Sequence, residues 1–183
     1  SFPNMHIISP SDSVEAAAAV EEMFRIEGPV YLRLGRSPLP VYHEEGYRLT
    51  YGKAEVLRTG TDAAIIATGP TVREALLAAD KLREKGILAE VVNVPFIKPI
   101  DIDQMVKTAE KVTVIFTVED HNIIGGLGSA VLESLGDKDL QTPLIRLGLP
   151  DVFGTSGEPA QLYERFGISG GKIAAAVLDF FAK

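Results

Sequence analysis

Short apolar runs alternate with amphipathic segments along most of the chain. After residue 53, runs typical of strands occur at 54–58, 63–68, 89–94, 112–118 and 144–147, and helical patterns at 71–85, 102–110, 128–135, 160–166 and 171–182. The run at 63–68 is almost wholly apolar, which is typical of a parallel strand buried on both faces, whereas 54–58 is expected at an edge. This order predicts an α/β protein, with a three-layer α/β/α domain around a mostly parallel five-stranded sheet.

The first 36 residues carry a smaller pattern of the same kind. We expect a strand at Met5–Ile8, a helix that begins near the Ser9-Pro10 pair and runs to about Ile26, and a second strand at Val30–Leu34. A lone β-α-β unit cannot bury both faces of its strands, so it is expected to be the remnant of a larger α/β domain, and the chain to start inside that domain. The resulting division is a remnant at 1–40, a Tyr- and Glu-rich linker at 41–52, and a domain at 53–183.

Charge and composition narrow the function classes. The net charge of −7 and pI of about 5.0 argue against nucleic-acid and membrane partners. Cysteine is absent and there are three histidines, so a metal site would need carboxylate ligands, and no zinc-binding spacing is present. No apolar run reaches the roughly 18–20 residues of a membrane span, and no segment resembles a signal peptide. A soluble cytoplasmic protein is the expectation.

The segment 28–36, Gly-Pro-Val-Tyr-Leu-Arg-Leu-Gly-Arg, contains the most informative candidate residue. It predicts a strand that delivers Arg36 into a loop stiffened by Pro38 and Pro40. A guanidinium offers forked donors suited to a phosphate. The residues alone leave two interpretations of Arg36 open, an anion ligand and a structural salt bridge.

The end of one predicted strand carries further polar residues. Glu119, Asp120 and His121 follow a buried strand and precede the glycines at 125 and 126, a place where open α/β sheets bind ligands. His121 is either a proton carrier or part of a turn or oligomer contact. The same alternatives of turn or interface apply to Glu119, Gly125 and Gly126.

The turn at 67–73 and the first acids of the chain have simpler interpretations. The turn could present a helix N-terminus to an anion, but it lacks the glycines of a dinucleotide fingerprint and the lysine of a P-loop, which favours an ordinary turn capped by Thr71. Asp12 and Glu15 are interpreted as acids of a first helical turn, where the helix macrodipole favours negative charge.

Several motifs together resemble the transketolase family. The segments 2–12 (Phe-Pro-Asn-Met-His-Ile-Ile-Ser-Pro-Ser-Asp) and 28–36 resemble the end of its pyrimidine-binding domain. The segments 65–69 (Ile-Ile-Ala-Thr-Gly), 118–121 (Val-Glu-Asp-His), 125–129 (Gly-Gly-Leu-Gly-Ser) and 151–157 (Asp-Val-Phe-Gly-Thr-Ser-Gly) resemble its C-terminal domain. The 1-deoxyxylulose-5-phosphate synthases and the β chains of 2-oxoacid dehydrogenase components are similar to a lesser degree, and the segment 153–157 favours transketolase.

The resemblance implies a two-carbon ketol transfer between sugar phosphates, in the pentose phosphate pathway. It assigns Arg36 to the sugar phosphate and no residue of this chain to catalysis, cofactor or metal. Thiamine diphosphate and Mg²⁺ are implied for the complete enzyme, bound by an N-terminal transketolase section, with a homodimer as the expected assembly. This chain alone is expected to be inactive. The alternatives are the C-terminal section of a 1-deoxyxylulose-5-phosphate synthase, a non-catalytic dimerisation or regulatory module, and a small phosphosugar-binding protein.

Overall fold

The computed structural model describes residues 2–138 and 141–183, which form two sheets flanked by helices. In chain order the elements are β1 (His6–Ile8), α1 (Ser13–Met23), β2 (Val30–Leu32), β3 (Glu55–Arg58), β4 (Ala63–Ala67), α2 (Thr71–Arg83), β5 (Ala89–Asn93), β6 (Phe96–Lys98), α3 (Ile102–Lys111), β7 (Val114–Asn122), α4 (Leu127–Gly136), β8 (Leu144–Leu149), α5 (Pro159–Arg165) and α6 (Gly170–Phe181).

The larger sheet has five strands in the order β3-β5-β4-β7-β8. The edge strand β3 is antiparallel to β5, and the other neighbours are parallel. Each face of the sheet has its own apolar core, because alternate residues of β4 point to opposite sides. Helices α2 and α6 pack on one face, and α3 and α4 on the other. The predicted three-layer α/β/α fold with a mostly parallel five-stranded sheet is confirmed.

Strand β4 shows why the pattern at 63–68 was a strong signal. All five of its residues are fully buried, including Ile65 and Ile66 on opposite faces. Burial of each isoleucine side chain stabilises the fold by about 1.5–3 kcal/mol. The longest described helix, α2, has 13 residues, and none of the described helices is long and apolar enough to cross a membrane.

The smaller sheet has the strand order β2-β1-β6. Strands β1 and β2 are parallel and α1 connects them, which confirms the predicted β-α-β unit. Strand β6 was not predicted; it comes from within the region 53–183 and pairs antiparallel with β1. Phe96 of β6 packs with Ile8, Ala18 and Leu49 in a small core. The two sheets are therefore linked by a strand as well as by the segment 33–54.

One predicted helix start and one predicted helix cap are wrong. Helix α1 begins at Ser13, after the Ser9-Pro10 pair, because the Asp12 carboxylate accepts a hydrogen bond from the Glu15 N–H and so caps the helix. Thr71 does not cap α2; its hydroxyl lies 2.8 Å from the carbonyl oxygen of Thr68 and 2.9 Å from that of Val118. Its hydroxyl ties the start of α2 to strand β7.

Candidate functional site

Arg33 and Arg36, the two arginines that follow strand β2, have different surroundings. Arg33 continues the pairing with β1, since its N–H donates to the Ile8 carbonyl at 2.8 Å. Its guanidinium donates to the Asp120 carboxylate at 2.7 Å and to the Asp120 carbonyl at 3.2 Å. Tyr163 donates a further hydrogen bond to the same carboxylate at 3.3 Å. Arg33 therefore forms a structural ion pair with Asp120.

Arg36 is exposed and makes no hydrogen bond or ion pair with any described residue. The salt-bridge interpretation of Arg36 is therefore wrong for the part of the chain that the structure describes. Arg36 lines a cavity of about 250 Å³ between the loop 35–39, the start of α2 and helix α5. We call this cavity the arginine pocket. Arg73, the third residue of α2, lines it as well.

In the arginine pocket the acidic side chains have partners, whereas the cationic groups are less fully paired. Its two acids have partners of their own: Asp120 binds Arg33, and Glu74 accepts a hydrogen bond from the Gly170 N–H at 2.7 Å. Arg73 is half exposed and lies 3.9 Å from Glu74, which is a loose contact. No described side chain caps the N-terminus of α2, so that helix end keeps its partial positive charge. The pocket is thus suited to an anion.

The turn between β7 and α4, residues 123–128, is called the glycine turn here. The carboxylate of Glu119 accepts hydrogen bonds from the N–H groups of Leu127 at 2.7 Å and Gly128 at 2.9 Å. Glu119 is 2% exposed. Its burial raises its pKa, although the two N–H groups act in the opposite direction. A Cβ at Gly126 would collide with this carboxylate, so the turn needs glycine there. The start of α4 thus holds an anion that the chain itself supplies.

The other predicted residues of this turn make local contacts. His121 is exposed and its Nδ1 donates to the carbonyl oxygen of Asn122 at 2.9 Å, while Glu119 lies 3.9 Å away. No other described side chain hydrogen-bonds to the imidazole of His121. The Gly125 N–H donates to the hydroxyl of Ser129 at 2.9 Å. Through these contacts His121 and Gly125 stabilise the glycine turn. Arg36 does not lie at this turn but lines the arginine pocket.

The turn after β4, residues 67–73, faces two neighbours. Gly69 donates its N–H to the carbonyl oxygen of Ser9 at 3.1 Å, and the Ser9 side chain fills the space that a Cβ on Gly69 would need. Beyond this closed part, Pro70 and Arg73 face the arginine pocket. The structure therefore brings this turn and Arg36 together. No local pattern indicates that Arg73 and Asp120 border the same cavity, because their partners come from distant segments.

Comparison with known proteins identifies the family. Residues 52–173 match the family model described as transketolase, C-terminal domain. The chain is 42% identical to the 6-deoxy-6-sulfo-D-fructose transketolase subunit SqwH of Clostridium sp. over 96% of this chain and 54% of the relative. It is 41% identical to a 1-deoxy-D-xylulose-5-phosphate synthase of Cyanothece sp. over 97% of this chain and 29% of the relative.

A solved structure gives the same result in three dimensions. The split-gene transketolase described as an inactive β4 tetramer is 39% identical, with a TM-score of 0.90 over 97% of this chain and 57% of that chain. The chain thus spans just over half the length of the transketolase subunits it matches. The family model and these matches show that the chain belongs to the transketolase family and corresponds to the C-terminal section of its members.

Proposed function

We propose that this chain is the C-terminal section of an enzyme that transfers a two-carbon ketol unit from a ketose phosphate to an aldose phosphate. Family membership supports the reaction class. The observation that carries the substrate assignment is Arg36, an exposed guanidinium without a described partner in a cavity whose acids are engaged elsewhere. A sugar phosphate supplies the missing anion.

Arg36 acts at a distance from the reacting bond in this proposal. A forked, charge-assisted contact with the phosphate contributes on the order of 1.5–3 kcal/mol, and this binding energy aligns the sugar. Arg73 and the uncapped start of α2 add weaker attraction from the opposite wall of the pocket. In this proposal Arg36 is the principal ligand of the phosphate, and Arg73 is an auxiliary cation.

The described residues do not fit the cofactor that the family uses. Thiamine diphosphate would need a free helix start or a similar set of N–H donors for its diphosphate. The start of α4 is filled by Glu119, and the uncapped start of α2 borders the arginine pocket, which this proposal gives to the sugar phosphate. We therefore place thiamine diphosphate and its Mg²⁺ on residues outside this chain. When bound there, the cofactor supplies the electron sink for carbon–carbon cleavage.

The proposed partner is an N-terminal transketolase section that carries the cofactor site. The solved split-gene transketolase supports this, because that structure is an inactive tetramer of β chains. For the complete enzyme we propose a homodimer of such paired sections, acting in the cytoplasm on sugar phosphates. The division of the present chain into 1–40, 41–52 and 53–183 remains a prediction.

Reconstitution tests this function. We expect no ketol transfer from the chain alone with thiamine diphosphate and Mg²⁺, and transfer from a ketose phosphate to an aldose phosphate once the N-terminal section is added. Activity of the chain alone would contradict the proposal. A reconstituted complex that neither transfers a ketol unit nor forms 1-deoxy-D-xylulose 5-phosphate would support a non-catalytic dimerisation or regulatory module instead.

A second candidate is the C-terminal section of a 1-deoxy-D-xylulose-5-phosphate synthase. The 41% identity to the Cyanothece protein favours keeping it. The same reconstituted complex discriminates, because formation of 1-deoxy-D-xylulose 5-phosphate without ketol transfer between sugar phosphates would select the synthase.

A further inference from the structure

A second group of ionisable side chains lies away from the arginine pocket, where helix α1 meets strand β3. It consists of Asp12, Glu15, His43 and Glu55, which we call the α1–β3 cluster. The side chains of Asp12, Glu15 and His43 are almost fully buried, and that of Glu55 is 39% exposed. The interpretation of Asp12 and Glu15 as ordinary first-turn acids is therefore incomplete.

His43 is held in one orientation by Asp12. The Nδ1 of His43 donates to Asp12 Oδ2 at 2.9 Å, which directs Nε2 toward Glu55 Oε2 at 3.1 Å. Asp12 is itself fixed, since its oxygens accept the N–H groups of Glu15 and His43 at 2.8 and 2.9 Å. Histidines that bind metals are usually oriented by a carboxylate on their second nitrogen in this way.

The spacing of the ligand atoms suits a small divalent cation. One ligand atom from each of Glu15, His43 and Glu55 lies within 4.8 Å of the others. Zinc bonds of about 2.0–2.2 Å at tetrahedral angles place ligand atoms about 3.3–3.5 Å apart. The 3.1 Å between His43 and Glu55 is close to that value, and Glu15 exchanges a hydrogen bond from Ser11 or Asn93 for the ion. The exposed part of Glu55 provides a route for the ion.

A buried oxygen without a partner lies beside the cluster. The amide of Asn93 points at Glu15, since its Nδ2 donates to Glu15 Oε1 at 2.8 Å. Its Oδ1 is buried and has no hydrogen-bond partner among the described residues. The other ligands have outer contacts of their own: Ser11 N–H donates to Glu15 at 2.7 Å, and the Tyr47 hydroxyl to Glu55 at 3.0 Å. These donors, with the Asn93 amide, hold Glu15 and Glu55 in position, so the cluster is ordered before a cation binds.

Charge favours a cation at this position. Three carboxylates surround one imidazole, and no described lysine or arginine forms an ion pair with any of them. Burial raises the pKa of Glu15. When Glu15 is ionised, the cluster keeps two uncompensated negative charges with a protonated His43, and one with a divalent cation and a neutral His43. Buried uncompensated charge is costly.

The competing occupant is a proton on His43. Burial by itself would lower the pKa of His43, but the hydrogen bond to Glu55 and the charges of Glu15 and Asp12 raise it to about 9. A metal ion must therefore displace this proton. A proton on His43 and a metal ion at the cluster therefore predict different results in a metal-binding experiment.

We propose that Glu15, His43 and Glu55 bind a divalent transition-metal ion of the zinc type, which ties helix α1 to strand β3.

Calorimetric titration of chelator-treated protein with Zn²⁺ at neutral pH tests this site. We expect one Zn²⁺ per chain, an increase in Tm on binding, and affinity that falls at least ~100-fold in His43→Gln and ~10-fold in Glu55→Gln. His6→Gln and His121→Gln are matched controls that remove the other two histidines and should leave the affinity unchanged. Glu55 is partly exposed, so its variant keeps the test valid if His43→Gln does not fold.

Two results would overturn the proposal. One is a wild-type protein that binds no Zn²⁺ at 1:1 stoichiometry although His43→Gln lowers its Tm, because the cluster then holds only a proton. The other is Zn²⁺ binding that neither His43→Gln nor Glu55→Gln weakens. Co²⁺ substitution adds a spectroscopic readout, since a tetrahedral site gives visible absorption bands that the two ligand variants should lose.

Discussion

The arginine pocket and the glycine turn are both built at the start of a helix that follows a central parallel strand, yet they are filled differently. At the glycine turn, the chain places the buried carboxylate of Glu119 against the N–H groups of α4. At the arginine pocket, no side chain of the described residues caps the start of α2, and Arg36 has no described partner. The comparison shows that a helix start at a sheet edge becomes a candidate anion site only when the protein does not supply the anion.

The same contrast separates two arginines only three residues apart. Arg33 is taken up by Asp120 and joins the small sheet to the large one. Arg36 lies one loop further and is free of such a contact among the described residues. The residue type is the same, and the partner from a distant segment determines which arginine is structural.

The strongest test of the filled turn is Glu119→Gln. The amide keeps the shape but turns one of the two acceptors into a donor that opposes a buried N–H group. We expect a loss of about 2–3 kcal/mol in the free energy of unfolding, measured by urea denaturation. The control is Glu133→Gln, which changes an exposed residue of helix α4. It should change the free energy of unfolding by less than about 0.5 kcal/mol. Equal stability of Glu119→Gln and wild type would break the comparison.

Gly126→Ala tests the close approach in the same turn. The added methyl group meets the Glu119 carboxylate, and we expect a loss of about 1–2 kcal/mol in unfolding free energy from overpacking. Gly136→Ala adds the same group at the end of α4, where no atom of the described residues lies within 4 Å, and should have little effect. Thermal unfolding of the pair gives the difference, and similar Tm values for the two variants would contradict the close approach.

Arg33→Ala sharpens the contrast between the two arginines. It leaves the partly buried Asp120 with Tyr163 as its remaining side-chain partner, so we expect about 1 kcal/mol of destabilisation. In the reconstituted enzyme, any loss of activity should be the same for phosphorylated and unphosphorylated substrates. A selective rise in KM for phosphorylated sugars would show that Arg33, too, serves the substrate.

The smallest effect is expected for Arg73→Ala. Arg73 is half exposed and attracts the phosphate through solvent, so we expect KM for phosphorylated sugars to rise about 2–3-fold. Arg83→Ala, at the far end of the same helix, should leave KM unchanged. Steady-state kinetics of both variants measure this difference. If KM for phosphorylated sugars is the same in Arg73→Ala as in the wild type, Arg73 is not part of the proposed site.

Regular elements with strong periodicity could be predicted from the sequence. The pattern at 63–68 predicts strand β4 to within one residue, and the pattern at 102–110 predicts helix α3 equally well. Strand β6 was missed because it has three residues between two prolines, and its pairing with β1 spans about 90 positions of sequence. Pairing at that range leaves no local signal.

The candidate site could be predicted only in part. The strand end and the prolines after it drew attention to Arg36, but the ion pair of Arg33 depends on Asp120, 87 residues away. Glu15 looked like an exposed helix acid because its contacts with Asn93 and His43 come from other segments of the fold. Charge partners set by tertiary structure are the part that local sequence does not contain.

The most direct test of the central claim is the substrate dependence of Arg36→Ala in the reconstituted enzyme. We expect KM for phosphorylated sugars to rise ~10-fold or more, with little change for unphosphorylated acceptors and an unchanged Tm. An equal loss with both kinds of substrate, or no loss with either, would contradict the assignment of the arginine pocket to the sugar phosphate.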